Sequence, residues 1–234
     1  DGADDDYFGQ AVSIYKNTLV VGTYSDDTGA TNAGSAYVFE KQNNRWVETQ
    51  LLLPDDVQST DRFGYAVSVH ENTITIGAFS EDEYGTSSGA AYIFNKDPGP
   101  FGKWRQKKKI TTPDAATGDN FGRHIDVYGE NIIVGAAYED EGGDEAGAVY
   151  FYKNYSSQLA LSPGANLKEI DIYGKEKPEY VFSQALSASL LRFHAPVLNP
   201  NSRFGGSARI HGDTIVAGRS VSNIGASGSL RVFT

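Results

Sequence analysis

The sequence contains no cysteine and no methionine, and it has no long apolar run. Without cysteine, the 234-residue chain forms neither disulfides nor thiolate metal sites. No segment approaches the roughly 18 apolar residues of a membrane-spanning helix, so we predict no direct membrane span. Basic residues are few, since 20 Lys and Arg face 30 Asp and Glu. The net charge of −10 argues against binding to nucleic acid or to an anionic membrane.

The sequence does contain an internal repeat of about 55 residues. The dipeptide Phe-Gly stands at residues 8, 63, 121 and 204, each time before an alternating run of small and branched residues. Two apolar phrases follow each copy, the first being LVVGT, ITIGA, IIVGA or IVAGR and the second GSAYVF, GAAYIF, GAVYFY or GSLRVF. A looser fourth phrase ends at Pro54, Pro113 and Pro196. We therefore predict repeats at about 1–54, 55–113, 114–196 and 197–234, with an insertion at 153–187 and no outer strand in the last repeat.

Each phrase has the composition of a β-strand, because Val, Ile, Tyr and Phe dominate and Gly, Asn and Asp bound it. The phrase LVVGT and its equivalents, which form the second strand of each repeat, are almost wholly apolar, which is typical of a strand covered on both faces. The fourth is polar and alternating, as in an outer edge strand. Four consecutive strands per repeat predict antiparallel meanders stacked radially, which is the architecture of a β-propeller.

These phrases resemble the FG-GAP repeat, the blade unit of the integrin α-subunit propellers. The matching residues are Phe8-Gly9, Phe63-Gly64, Phe121-Gly122 and Phe204-Gly205, followed by Gly77-Ala78 and Gly135-Ala136. Gly22-Thr23 and Gly218-Arg219 depart from the pattern, and its final Pro is replaced by Tyr24, Phe79, Ala137 and Ser220. The resemblance implies a wedge role for Phe and a close backbone approach at Gly. Since family members most often have seven blades, it also implies an arc of a larger ring, the alternative being a closed four-bladed ring.

One face of the predicted blades is strongly acidic. The loops between second and third strands and the links between blades share this acidic loop face, which holds 19 of the 30 acidic residues and only three basic ones. Carboxylates in Gly-containing loops are suited to Ca²⁺, and solvation is the alternative. The candidate ligands are Asp26, Asp27, Glu81, Asp82, Glu83, Glu139, Asp140, Glu141 and Asp144. The integrin-type metal loop does not carry over, because the link between first and second strands is here a tight turn.

Signals for catalysis are weak. The segment GTSSG at 85–89 matches a nucleophile motif, but that motif needs a strand-turn-helix context that an all-β chain lacks. The basic segment KWRQKKK at 103–109 is expected to be a lysine-protected outer strand, with polyanion binding as the alternative. In the insertion, Asn154 is a glycosylation acceptor if a eukaryote secretes the chain, and the apolar spacing suggests a short helix at about 179–187.

We therefore expect an extracellular, non-catalytic binding or adhesion module that presents the acidic loop face to a protein or glycan. The alternative is a structural building block of a larger extracellular or membrane-associated assembly, packed through the 153–187 insertion and an open blade end. Ca²⁺ is the one cofactor that the sequence suggests. An enzyme is the least expected class, because no acid–base or nucleophile constellation is present.

Overall fold

The computed structural model describes residues 5–99, 102–140, 145–153, 169–170, 183–187, 190–194, 203–212, 214–219 and 229–233. All regular elements in these ranges are β-strands, and they form four antiparallel sheets, which confirms the predicted blades. The first sheet contains β1 (Ala11–Tyr15), β2 (Thr18–Thr23), β3 (Ser35–Gln42) and β4 (Arg45–Leu52) in that order. The second contains β5 (Phe63–His70), β6 (Thr73–Ala78), β7 (Ala90–Lys96) and β8 (Trp104–Ile110).

The third and fourth sheets repeat this order, and each takes one strand from the predicted insertion, β13 in the third sheet and β12 in the fourth. Three strands of the third sheet are β9 (Phe121–Tyr128), β10 (Asn131–Ala136) and β11 (Ala148–Tyr152), to which β14 (Leu190–His194) and β13 (Ser183–Ser187) are added. The fourth contains β15 (Phe204–His211), β16 (Thr214–Arg219), β17 (Ser229–Phe233) and β12 (Glu169–Ile170). The strand β14 lies where the register of the fourth phrase placed the outer strand of the third blade.

Two details of the insertion differ from the sequence-based expectations. The helix expected over about 179–187 is wrong at 183–187, because these residues form β13 and pair antiparallel with β14. Pairing satisfies backbone groups that an edge strand would leave open. The fourth sheet also has an outer strand, because β12 pairs with β17 although segment 197–234 does not supply one. Asn154, Glu141 and Asp144 lie outside the described residues.

The first strand of each sheet is its inner strand, and β1, β5, β9 and β15 lie side by side in that order. A side-chain oxygen joins each neighbouring pair. The backbone N–H of Val69 donates to Ser13 Oγ at 3.1 Å, that of Val127 to Ser68 Oγ at 3.2 Å, and that of Ile210 to Asp126 Oδ2 at 2.9 Å. A serine or aspartate at the same repeat position therefore connects consecutive sheets.

The phenylalanines of the Phe-Gly phrase pack where one sheet meets the next. The Phe63, Phe121 and Phe204 rings are fully buried at these interfaces. Their backbone N–H groups donate to the preceding sheet's loop, at Ala33, Ser88 and Ala146 oxygens, over 2.8–3.0 Å. The ring of Phe63 also meets Tyr92 and Phe94 edge-on, with centroids at 5.4 and 6.1 Å. The wedge role implied by the resemblance agrees with these contacts.

Two glycines from different repeat phrases form a single contact between sheets. A Cβ at Gly77 would lie 1.9 Å from the carbonyl oxygen of Gly122 in the next sheet. Gly122 itself has a φ of +89°, and its Cβ would lie 2.2 Å from the oxygen of Ala90. Gly22 with Gly64, and Gly135 with Gly205, repeat this arrangement. The glycines are therefore required because the backbones of adjacent sheets touch.

The first sheet lacks a preceding neighbour among the described residues, and this overturns one expectation. Phe8 was expected to be buried like its three equivalents, but its side chain is 53% exposed. A Cβ at Gly9 would meet no atom within 4 Å. In the described part of the chain the four sheets therefore form an arc, and the larger ring remains a prediction.

Candidate binding surfaces

The acidic loop face is built from carboxylates that hold their own loops together. In each of the first three repeats, an aspartate side chain accepts a hydrogen bond from the backbone N–H five residues later. The pairs are Asp27 with Asn32 at 2.6 Å, Asp82 with Ser87 at 2.6 Å and Asp140 with Glu145 at 2.7 Å. One oxygen of each of these candidate metal ligands is thus engaged in closing a loop.

The acidic residue before each of these aspartates is buried: Asp26, Glu81 and Glu139. Asp26 accepts hydrogen bonds from the Thr28 N–H at 2.7 Å, Ser35 Oγ at 3.0 Å and Tyr37 Oη at 3.2 Å. Burial raises its pKa, but these hydrogen bonds outweigh burial, and the pKa of Asp26 lies below its usual value. Asp26 is therefore an ionised carboxylate satisfied by protein donors.

In the second repeat a lysine occupies the space between the carboxylates. Lys109 Nζ lies 2.6 Å from Asp56, 2.9 Å from Glu81 and 2.8 Å from Glu83. Burial alone would lower the pKa of Lys109, but the hydrogen bonds to these carboxylates raise it above its usual value. The oxygens of the three carboxylates lie within 4.8 Å of one another, the one such grouping in the described part of the chain. The ammonium group thus stands where a divalent cation would bind.

In the third repeat an arginine lies between acidic side chains in the same way. Arg192 pairs with Tyr150 across β11 and β14, as Lys109 pairs with Tyr92 across β7 and β8. Its guanidinium ion-pairs with Asp114 and lies 3.9 Å from Glu139. The first sheet has Leu51 at this position, opposite Tyr37. Asp56, Asp114 and the two cations were not among the candidate residues. Lys109 was missed because the sequence predicts an exposed outer strand for the basic segment 103–109.

We expect Lys109→Gln to lower the free energy of unfolding by about 2 kcal/mol. Removing one partner of a buried ion pair costs about 3–5 kcal/mol, and the partial exposure of Asp56 and Glu83 reduces that figure. The freed carboxylates, with the otherwise unpaired Glu81 Oε2, should then respond to millimolar Ca²⁺ more than to matched NaCl. Urea unfolding of this variant and of Lys108→Gln, whose side chain is exposed, measures both effects. Equal losses in the two variants would contradict the role of Lys109.

Two further aspartates, two residues before Phe63 and Phe121, are buried in the blade links. Asp61 accepts a hydrogen bond from the Gln58 N–H at 3.0 Å, and Asp119 accepts one from the Ala116 N–H at 2.8 Å. Burial raises the pKa of each to about 6, and neighbouring carboxylates add to that effect. In the opposite direction, burial and then Arg209 and Arg123 lower the pKa of His124 to about 4.

These shifts predict an unusual dependence of stability on pH. Between about pH 4 and 6 the folded protein binds protons at Asp61 and Asp119 that the unfolded chain does not, while His124 binds one fewer. The net excess of about one proton means that the unfolding free energy should fall as pH rises through this window. In the double variant Asp61→Asn, Asp119→Asn these two contributions are removed. The lowered pKa values of His124, Asp26 and Asp56 all make stability rise with pH, so the slope should reverse sign. Urea titrations at pH 4, 5 and 6 compare the slopes, and identical slopes in both proteins would refute the assignment.

The repeat pattern itself is found in a known family. Residues 1–39, 46–94 and 104–152, more than half of the chain, match the FG-GAP repeat. The chain belongs to the FG-GAP repeat family. This confirms the resemblance, and the fourth FG-GAP sheet, which lies beyond these matches, has the same buried phenylalanine, Phe204. Comparison with curated proteins gives no match.

Two general properties of the family bear on function, and the structure adds two observations. FG-GAP repeats are generally non-catalytic, and they commonly occur in extracellular proteins. The residues described contain no helix that is long and apolar enough to cross a membrane. The GTSSG segment lies in the FG-GAP loop between β6 and β7. The serine at the nucleophile position of the motif is Ser87, whose backbone N–H donates to Asp82 Oδ1 at 2.6 Å, and Ser88 Oγ donates to the Glu81 carbonyl oxygen at 3.3 Å. Both residues thus help to close that loop.

Exposed apolar side chains of these FG-GAP sheets lie on the face of the first sheet that points away from the second. Phe8, Val12 and Ile14 are 53%, 63% and 61% exposed. We call this surface, which Phe8, Val12, Ile14 and Trp46 outline, the open face. Six of the seven large apolar side chains that are exposed in the described ranges belong to the first sheet or its entry: Tyr7, Phe8, Val12, Ile14, Trp46 and Val47. A contiguous apolar patch of this kind marks an interaction surface.

Proposed function

We propose that the chain is a non-catalytic binding module of an extracellular assembly, and that its open face receives a β-sheet of the FG-GAP type. The observation that carries this proposal is an equivalence between repeats. Val12 and Ile14 occupy the β1 positions that Val67 and Val69 occupy in β5, as the pairing with β2 and β6 shows. Val67 and Val69 are buried against the first sheet. The open face thus has the composition of a surface that another sheet covers.

The chemistry of the partner follows from the contacts at the three internal interfaces. Each preceding sheet supplies a glycine in its second strand, as Gly22, Gly77 and Gly135 do. Each also supplies a side-chain acceptor for the inner strand of the next sheet, as Ser13 does for the Val69 N–H. Ile14 is the equivalent of Val69. The partner sheet should therefore present a glycine beside Gly9 and an oxygen acceptor beside the Ile14 N–H.

The fourth sheet of a second copy does not meet these requirements. Arg209 stands there at the position of Ser13 and Ser68, opposite Val216, and a guanidinium group has donors but no acceptor. Head-to-tail association of identical chains would leave the Ile14 N–H without its partner. We therefore assign the open face to a different FG-GAP sheet.

The acidic loop face is the weaker candidate for partner binding. Its buried acids are held by protein donors or by Lys109 and Arg192, and Asp27, Asp82 and Asp140 each close a loop. A partner would find fewer free carboxylates than the sequence suggests. Burial of apolar surface, at about 25 cal/mol per Å², favours the open face instead.

A chain with one added sheet tests this proposal. Residues 63–120 are copied in front of Phe8 in place of residues 1–7, which keeps the natural spacing between consecutive phenylalanines and supplies Ser68 and Gly77. We expect peptides covering β1 to gain protection from hydrogen exchange and the protein to become more stable. The matched control carries Ser68→Arg in the added copy only, and it should protect β1 less. Unchanged exchange of β1 in the extended chain would overturn the proposal.

A further inference from the structure

An open cavity of about 330 Å³ lies where the inner strands of all four sheets converge. Its lining comes from β1, β5, β9, β15 and the residue before β1, and half of it is aliphatic. The polar lining residues are Gln10, Tyr65, Arg123, His124 and Arg209. We call this space the axial cavity. None of the lining residues belongs to the acidic loops or to the ion pairs of Lys109 and Arg192.

The axial cavity is basic although the protein is acidic. Two guanidinium groups and one imidazole line it, and no Asp or Glu of the described ranges does. The chain as a whole has a net charge of −10. Arg123 and Arg209 also form no ion pair with a carboxylate of the described residues, whereas Arg192 and Arg203 do. Two guanidinium groups thus line one cavity without an ion-pair partner among the described residues.

The three basic residues are departures from the repeat. Arg123 stands where the first two repeats have Gln10 and Tyr65, directly after the Phe-Gly dipeptide. His124 stands where they have alanines, because Gly135 pairs with His124 as Gly22 and Gly77 pair with Ala11 and Ala66. Arg209 replaces the oxygen-bearing side chain that joins the other sheets. The repeat pattern explains none of the three substitutions, and all three face one cavity.

The Arg123 guanidinium is held in place by aromatic rings. Its Cζ lies 5.1 Å from the ring centre of Tyr65, 5.0 Å from Phe79 and 5.5 Å from Tyr138. Such cation–π contacts fix the plane of the group and leave the N–H donors at its edge for hydrogen bonds. Arg209 uses one donor, Nη1, for the Ala208 carbonyl oxygen at 3.0 Å, and an arginine has five. Both side chains therefore retain donors for a ligand.

We propose that the axial cavity binds a small oxyanion, a carboxylate, phosphate or sulfate group, between the guanidinium groups of Arg123 and Arg209. The planar fork of an arginine matches the geometry of these groups, and charge-assisted hydrogen bonds of this kind are strong. His124 is neutral at pH 7, because its pKa lies at about 4, and it contributes a single N–H donor. The ligand class differs from the apolar sheet that we assign to the open face, so the two proposals stand independently.

Calorimetric titration with three probes tests the site. Inorganic phosphate, sulfate and succinate are titrated separately into the full chain at pH 7, with chloride as the ionic-strength control. Variants Arg123→Gln and Arg209→Gln are compared with the control variant Arg105→Gln. Arg105 lies on the outer strand β8, and its exposed side chain pairs with Asp97. We expect at least one probe to bind, and its affinity to fall about tenfold or more in the first two variants. The control variant should match the wild type.

The outcomes separate the ligand classes and decide the proposal. Binding of phosphate and sulfate alone identifies a tetrahedral oxyanion, and binding of succinate alone identifies a carboxylate; each supports the site. The His124 imidazole resonances should shift with the bound probe, which locates it in the cavity. If Arg123→Gln fails to fold, Arg209→Gln decides, because that side chain is exposed. No response beyond chloride at about 10 mM probe, roughly tenfold above a Kd of 1 mM, or an equal loss in Arg105→Gln, would overturn the proposal.

Discussion

Phe63→Ala is expected to lower the free energy of unfolding by about 3–5 kcal/mol, the range for truncating a fully buried phenylalanine. The Phe63 ring is 0% exposed and packs edge-on against Tyr92 and Phe94 at the interface of the first two sheets. Its loss would leave a cavity there, which the rigid sheets on either side cannot close. Urea unfolding followed by far-UV circular dichroism measures the loss.

Phe8→Ala is the matched control for this prediction. Phe8 occupies the same repeat position and also meets its own third strand edge-on, at Tyr37 and Phe39. Because half of its side chain is exposed, truncation should cost no more than about 1 kcal/mol. Similar losses in both variants would show that the phenylalanine stabilises its own sheet and not the contact between sheets.

The fold could be predicted from the sequence because its decisive signals recur. Each Phe-Gly dipeptide marks the start of an inner strand, and the two apolar phrases that follow it form the second and third strands of the same sheet. Recurrence fixed the register even across the long third repeat, so that β14 was expected just before Pro196. The glycines could be assigned a close-approach role, but which backbone each one meets depends on the stacking of sheets. That the Gly77 and Gly122 positions form one contact is visible only in three dimensions.

The candidate site was harder to predict because the sequence shows which loops contain carboxylates but not which basic side chains pair with them. Asp56 and Lys109 are separated by 53 residues in sequence, and the lysine lies in a segment that resembles an exposed edge. Its side chain turns inward opposite Tyr92, between the carboxylates that were interpreted as Ca²⁺ ligands. The exposure of Phe8 was missed for a similar reason. The repeat pattern predicts where a residue lies within its own sheet, but it does not show whether another sheet packs against that residue.

Gly77→Ala is the second substitution with a large expected effect. The added methyl carbon would stand 1.9 Å from the Gly122 carbonyl oxygen, a backbone atom that cannot rotate away. The second and third sheets would have to move apart. This would open the core between them, which contains Phe121, Ile125 and Ile132. Overpacking of a well-packed interior costs about 1–3 kcal/mol and sometimes more. A contact this short against backbone should reach at least the upper end of that range, about 3 kcal/mol.

Gly218 offers the matched position, since it is the same second-strand glycine in the fourth sheet. A Cβ there would meet Ser207 at an ordinary 3.5 Å and no atom of another sheet. Comparing the urea unfolding of Gly77→Ala and Gly218→Ala therefore tests the claim that glycine pairs set the spacing between consecutive FG-GAP sheets. A loss of about 3 kcal/mol or more at Gly77, with a change within about 1 kcal/mol at Gly218, is the predicted result. Equal effects at the two positions would contradict it.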